Sequence, residues 1–246
     1  LCLMALVYFL VRAGLPFPDT RILLHTAIIG LLLLMTFMGG RIIAPAVAGT
    51  LEKKGIPLEA RVQPLIEGWL LAILPLAMVC ILFTATEKLA GLLLLASSLL
   101  IAIRVARWKL WHCTDRPDLL VLAIGYLWLA AGAAVTGVHL VTGHALLPAL
   151  HLIAVGALGT LSCSVMLRLA WQRACRRFPP AWQVLAIAVL TALASICRYL
   201  AGPVPFSEPA LLWLAAGAWS LAYLGLFAQL LHLYSAFTKK GKANNG

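Results

Sequence analysis

Residues His151 to Arg168 read HLIAVGALGTLSCSVMLR, an apolar run with a histidine at one end and an arginine at the other. As a helix rising about 1.5 Å per residue, the run is roughly 25 Å long, most of a bilayer's hydrocarbon core. His151 then lies near one membrane surface and Arg168 near the other. Gly156, Gly159, Thr160, Ser162, Cys163 and Ser164 form a flank of small residues. Such a flank lets a second backbone come close, as interfaces between membrane helices require.

The rest of the chain has the same character. Of its 246 residues 63% are hydrophobic and 11% charged, with a mean hydropathy of +1.00. A soluble domain is nearer a quarter charged, so this is an integral membrane protein whose main partner is the lipid bilayer. Eight apolar runs follow one another: Leu1–Val11, Ile22–Met38, Leu65–Thr84, Leu89–Ile103, Leu119–Val141, Leu146–Ala170, Trp182–Ala201 and Ala210–Phe237. They are too long and too uniformly apolar for the alternating strands of a barrel, and a lipid-exposed backbone must satisfy its own hydrogen bonds. The expected fold is all-α, a polytopic transmembrane bundle of about 7–8 spans. Leu1–Val11 is too short to span and reads as the end of a truncated helix. It lacks the basic leader and cleavage site of a signal peptide.

Charge orients the spans. With the loop after the second run placed in the cytoplasm, the inner segments hold fifteen of the 19 basic residues, leaving Arg12, Arg21, Lys88 and Arg198 outside. That bias obeys the positive-inside rule through every span and puts the C-terminus in the cytoplasm as a short basic tail. The formal charge of +11 therefore reports topology and contact with anionic lipid, and nucleic acid is not an expected partner. Arg104 and Arg107, at the end of the fourth run, are expected to snorkel to the interface.

A repeat is visible. His25 is followed by Gly30 and Arg41, as His151 is followed by Gly156 and Arg168. The two copies lie four spans apart and so run in the same direction, a parallel repeat dividing the chain into 1–118 and 119–246. Both histidines fall at the outer ends of their spans, and His139 and His144 flank the short outer loop between them. For any one of these the plain reading is an amphipathic residue at an interface. Four on one side point to haem or a metal, since neutral imidazole is a common ligand for iron and copper. Haem needs apolar walls, axial imidazoles and cations for its propionates. His25 and His151 are the axial candidates, Arg21 and Arg198 the propionate candidates, and His25, His139, His144 and His151 the metal set; the plain reading of Arg198 is snorkelling to the headgroups. His112–Cys113 is a weak metal signal, and no paired cysteine motif exists.

Two other classes remain open: a transporter, and a non-catalytic structural subunit in which the histidines are incidental. An enzyme is least supported, because no nucleophile–base pair or phosphate loop is present. Glu67, at the inner start of the third run, is the acid most worth testing against an ordinary interfacial role.

Three segments carry a resemblance. Phe37 to Pro45, FMGGRIIAP, looks like the glycine–arginine–proline helix end of the NnrS family. Trp111 to Gly132, WHCTDRPDLLVLAIGYLWLAAG, resembles that family's loop-to-helix segment with its G-Y-x-W core. His151 to Arg168 is similar to its His-x-x-x-V-G-A-x-G-T helix closing with V-M-x-R. NnrS-like proteins are bacterial inner-membrane proteins associated with haem and copper and with responses to nitric oxide and denitrification. The resemblance implies haem as cofactor, copper as a further one, nitric oxide or other membrane subunits as partners, and a further four-helix repeat before Leu1. Two departures stand out. After the V-M-x-R position the chain reads LAWQRACRR, with no histidine, and Ala123 stands where members often have one.

Overall fold

The computed structural model describes residues 20–58, 62–204 and 206–244. Among them the chain forms seven helices and no strand: α1 Thr20–Glu52, α2 Pro64–Cys80, α3 Glu87–Ala106, α4 Pro117–Thr142, α5 Leu146–Cys175, α6 Ala181–Leu200 and α7 Pro209–Asn244. Six are long and apolar enough to cross a membrane, and α2, with 17 residues, is shorter. The all-α membrane bundle is thus what the chain builds. The run Leu1–Val11, with Arg12 and Arg61, lies outside the described residues. Two runs end elsewhere than expected. α1 continues beyond Met38, through Pro45, to Glu52. α2 stops at Cys80, where Thr86 Oγ1 donates to the Cys80 carbonyl at 2.6 Å and holds the turn.

Local chemistry sets several helix ends. Pro64, Pro117 and Pro209 occupy first positions, where a missing N–H removes no helical bond. Gly143 closes α4 with φ +75°, the left-handed cap that glycine adopts without strain.

α4 is central, with Leu119, Leu122, Tyr126 and Leu129 fully buried. It meets α3 backbone to backbone. A Cβ on Gly91 would stand 2.8 Å from the Gly137 carbonyl oxygen, and one on Gly137 2.7 Å from that of Gly91. Only two glycines allow that approach. The small flank of α5 behaves as expected, since the Thr160 and Thr191 hydroxyls share a 2.8 Å hydrogen bond with α6. Gly156 leaves room for Trp128 of α4 and Ser195 of α6.

The two ends of the bundle differ chemically. At one end Arg116 grips Asp118 through Nε–Oδ1 at 2.9 Å and Nη2–Oδ2 at 3.0 Å, and Arg168 reaches the same carboxylate at 3.2 Å. Lys54 pairs there with Asp115. The opposite end gathers the start of α1, the α4–α5 turn and the α6–α7 loop, and with them His25, His139, His144 and His151.

Candidate functional site

At the histidine end a cavity of about 650 Å³ opens between α5, α6 and α7, within the roughly 300–1,000 Å³ of small-molecule sites. His151 enters it from α5 and Arg198 from α6, while Trp213 and Trp219 of α7 and Phe206 of the loop supply aromatic walls. Ala194, Ala215 and Ala216 line it too; their short side chains are why space remains between helices that otherwise pack closely.

His151 sits immediately before a wide π turn, Leu152–Ala157, that interrupts α5. Such turns concentrate at functional sites because they shift the phase of the side chains beyond them. The wider turn needs room, and Gly132 of α4 provides it, since a Cβ there would lie 2.5 Å from Ile153 Cγ1. His151 Nδ1 donates to the Leu147 carbonyl at 2.6 Å. The proton is therefore on Nδ1 and the Nε2 lone pair is left for a ligand, the arrangement that metal-bound imidazoles use. Arg198 is half-buried, and its Nη1 donates only a long 3.4 Å bond to the Gly202 carbonyl. Among the described residues no carboxylate pairs with it. A guanidinium so placed favours an anionic group on whatever fills the cavity.

These residues fit haem: an imidazole nitrogen, a cation for a propionate, and apolar aromatic walls. They fit copper less well. His139 Nδ1 donates to the Ala145 carbonyl at 2.7 Å, its Nε2 accepts from the Tyr199 hydroxyl at 3.4 Å, and its ring centre lies 5.7 Å from that of His144. That is a two-imidazole pair, and among the described residues no three His, Cys, Asp or Glu side chains gather around a metal position. Of the expected set, then, His151 and Arg198 come together, and His139 and His144 form a separate pair. Half-buried His25 and exposed Arg21 lie in the first turns of α1 and do not line the cavity.

The family model described as NnrS protein matches residues 1–236. The chain belongs to the NnrS family. No curated protein and no solved structure matches it.

Two of the segments that suggested NnrS converge at the arginine-rich half of the bundle, on a residue the sequence misplaced. Arg104 does not snorkel. It is 3% exposed, buried where α1 to α4 meet. Its Nη2 pairs with Glu67 of α2, and its Nη1 donates to the Tyr126 hydroxyl at 3.0 Å and to the Thr36 carbonyl at 3.3 Å. Tyr126 in turn donates to the Thr36 carbonyl at 2.8 Å. Gly39 and Gly40 make this knot possible: a Cβ on Gly39 would stand 2.9 Å from the Tyr126 ring, and one on Gly40 would fall on the Arg104 guanidinium. The FMGGR and G-Y-x-W segments of NnrS therefore serve one buried ion pair. Only Glu67 was singled out in the sequence. An acid in the first turn of α2 and a base in the last turn of α3 was the available signal.

Cys113, weakly suspected as a ligand with His112, is fully buried. Burial pushes its thiol above the ordinary range, which disfavours the thiolate a metal would need.

Proposed function

We propose that this NnrS protein binds haem in the cavity between α5, α6 and α7, and acts in nitric-oxide tolerance or signalling. It does so in the bacterial inner membrane, with its basic end in the cytoplasm. The observation that supports the reading is the meeting of His151 and Arg198, from different helices, in one aromatic-walled cavity. Haem iron, when bound, supplies a coordination position for a small diatomic gas. The chain's own residues do the rest. The Leu147 carbonyl holds the His151 proton on Nδ1, so that Nε2 would be free for the iron, Arg198 would neutralise a propionate, and Trp213, Trp219 and Phe206 would supply aromatic contacts. Copper is a second expected ligand, for which His139 and His144 offer two imidazoles.

The test is spectroscopic. Protein purified from haem-replete cells should carry a Soret band and stoichiometric iron, and His151→Ala should lose both. Arg198→Leu should weaken haem retention, while His139→Ala should leave the Soret band in place and lower any copper content. A colourless, iron-free protein overturns the reading and favours a structural subunit. Solute uptake into vesicles by the haem-free protein would favour a transporter.

A further inference from the structure

Of the six histidines in the chain, His151 alone lines the cavity between α5, α6 and α7. His25, the other expected axial ligand, belongs to α1 and is not part of the wall. His139 is engaged at both ring nitrogens, by the Ala145 carbonyl and the Tyr199 hydroxyl. His144 Nδ1 shares a 2.6 Å hydrogen bond with the Thr142 hydroxyl. His112 lies in the turn between α3 and α4, and His232 lies late in α7. The remaining lining, among the described residues, is valine, leucine, alanine, phenylalanine, tryptophan, serine and arginine. Methionine, cysteine and tyrosine, the other side chains that proteins place on haem iron, are missing from it.

On the basis of the haem site proposed above, we propose further that His151 is its only protein ligand, so that the site binds a neutral diatomic gas and does not relay electrons. Haem iron has two axial positions. Cytochromes c fill both from the protein, with a histidine and a methionine, and work as electron carriers. Globins hold the iron by one proximal histidine and leave the other position to a gas. The cavity offers one imidazole, fixed as a ligand by the Leu147 carbonyl at its Nδ1. The parallel repeat of His25 and His151 suggested a two-histidine site, and the fold separates that pair. What the repeat would have closed is left open to a small ligand.

Spectroscopy of the full chain, purified from haem-replete cells and held in lipid nanodiscs, counts the ligands. Reduced wild type should show the single broad visible band of five-coordinate high-spin iron and should bind carbon monoxide on mixing. The oxidised form should give an axial high-spin EPR signal. His25→Ala would convert a two-histidine site into a one-histidine site, so with His151 as the only ligand it should leave both spectra unchanged. His151→Gly should lose the wild-type spectra, and added imidazole should restore them. Haem-loaded wild type with the sharp α and β bands and low-spin EPR signal of six-coordinate iron overturns the single-ligand assignment while haem binding stands. Spectra that His25→Ala shifts, or that His151→Gly leaves unchanged, overturn it too. Wild type without a Soret band overturns the haem reading itself, and this assignment with it.

Discussion

Arg104 and Arg198 occupy equivalent places, each in the last turn of an apolar helix of 20 residues. Their surroundings are opposite. Arg104 meets a carboxylate, a phenol and a main-chain carbonyl from three neighbouring helices, and is sealed from solvent and lipid. Arg198 meets one distant carbonyl and the wall of a cavity. What separates them is the neighbour: α2 brings Glu67 to Arg104, whereas among the described residues no carboxylate pairs with Arg198. A guanidinium within an apolar span needs an anion. Where the protein supplies it, the arginine is architecture; where it does not, the arginine is free to hold a ligand's anion.

The largest expected effect follows from that distinction. Arg104→Leu strands Glu67 in a partly buried position and should cost about 3–5 kcal/mol, the usual penalty for removing one partner of a buried pair. Arg198→Leu should change stability by no more than about 0.5 kcal/mol while reducing haem retention. Reversible unfolding in detergent measures both. Equal losses in the two variants would erase the difference between the arginines. The double variant Glu67→Met/Arg104→Leu should recover most of the loss, because a buried pair replaced by apolar residues of similar size is often near neutral.

Gly40→Ala comes next. Its added methyl falls on the Arg104 guanidinium, and overpacking of this kind costs about 1–3 kcal/mol. In an Arg104→Leu background the added cost should shrink, since the clashing group has gone. Equal costs in both backgrounds would mean that Gly40 is required for some reason other than the knot.

A neutral knot in the second half of the chain gives a smaller effect. Trp171 Nε1 donates to Gln183 Oε1 at 2.9 Å, and Gln183 Nε2 donates to Gln229 Oε1 at 2.9 Å, tying α5, α6 and α7 together. Interhelical hydrogen bonds in membranes are worth only about 0.6–2 kcal/mol, so Gln183→Leu should destabilise by that much, well below Arg104→Leu. A larger loss would make the amide knot as important as the ionic one.

How far these sites were legible in the sequence depends on the range of the interaction. Helix existence rests on apolar runs of local sequence, and α3 to α7 lie close to where those runs put them. The pairing of His151 with Arg198 was half visible, since both carried the right chemistry at the same membrane surface. Their meeting depends on α6 returning beside α5, which no spacing encodes. His25 matched His151 in local pattern, yet α1 does not line the cavity, because a repeat in sequence does not place two helices side by side. Arg104 was misread for the same reason. Its helix position suits snorkelling, and only the approach of Glu67, Tyr126 and Gly40 from other helices makes burial favourable. The π turn after His151 depends on Gly132 in another helix and left no mark in the α5 sequence.

The smallest effect belongs to the ion pair of Lys54 with Asp115, which lies in the loops and not in the spans. Lys54 Nζ also donates to the His112 carbonyl at 2.7 Å. Its hydrogen bond to Asp115 is the main reason that carboxyl sits below its usual range. A depressed carboxylate pKa contributes stability above the unfolded value, about 3.9 for Asp, and that contribution is lost as pH falls through the folded pKa. Between pH 7 and 5 this pair should therefore leave Tm unchanged, with any loss confined to more acidic solution. Carboxyl-detected NMR should place the Asp115 midpoint below that of an unperturbed aspartate, and Lys54→Gln should raise it. An unmoved midpoint would mean that the pair is not formed in solution. The same opposite charges that lock α2 to α3 around Arg104 should act here only as a weak, screened contact, because water already solvates both partners.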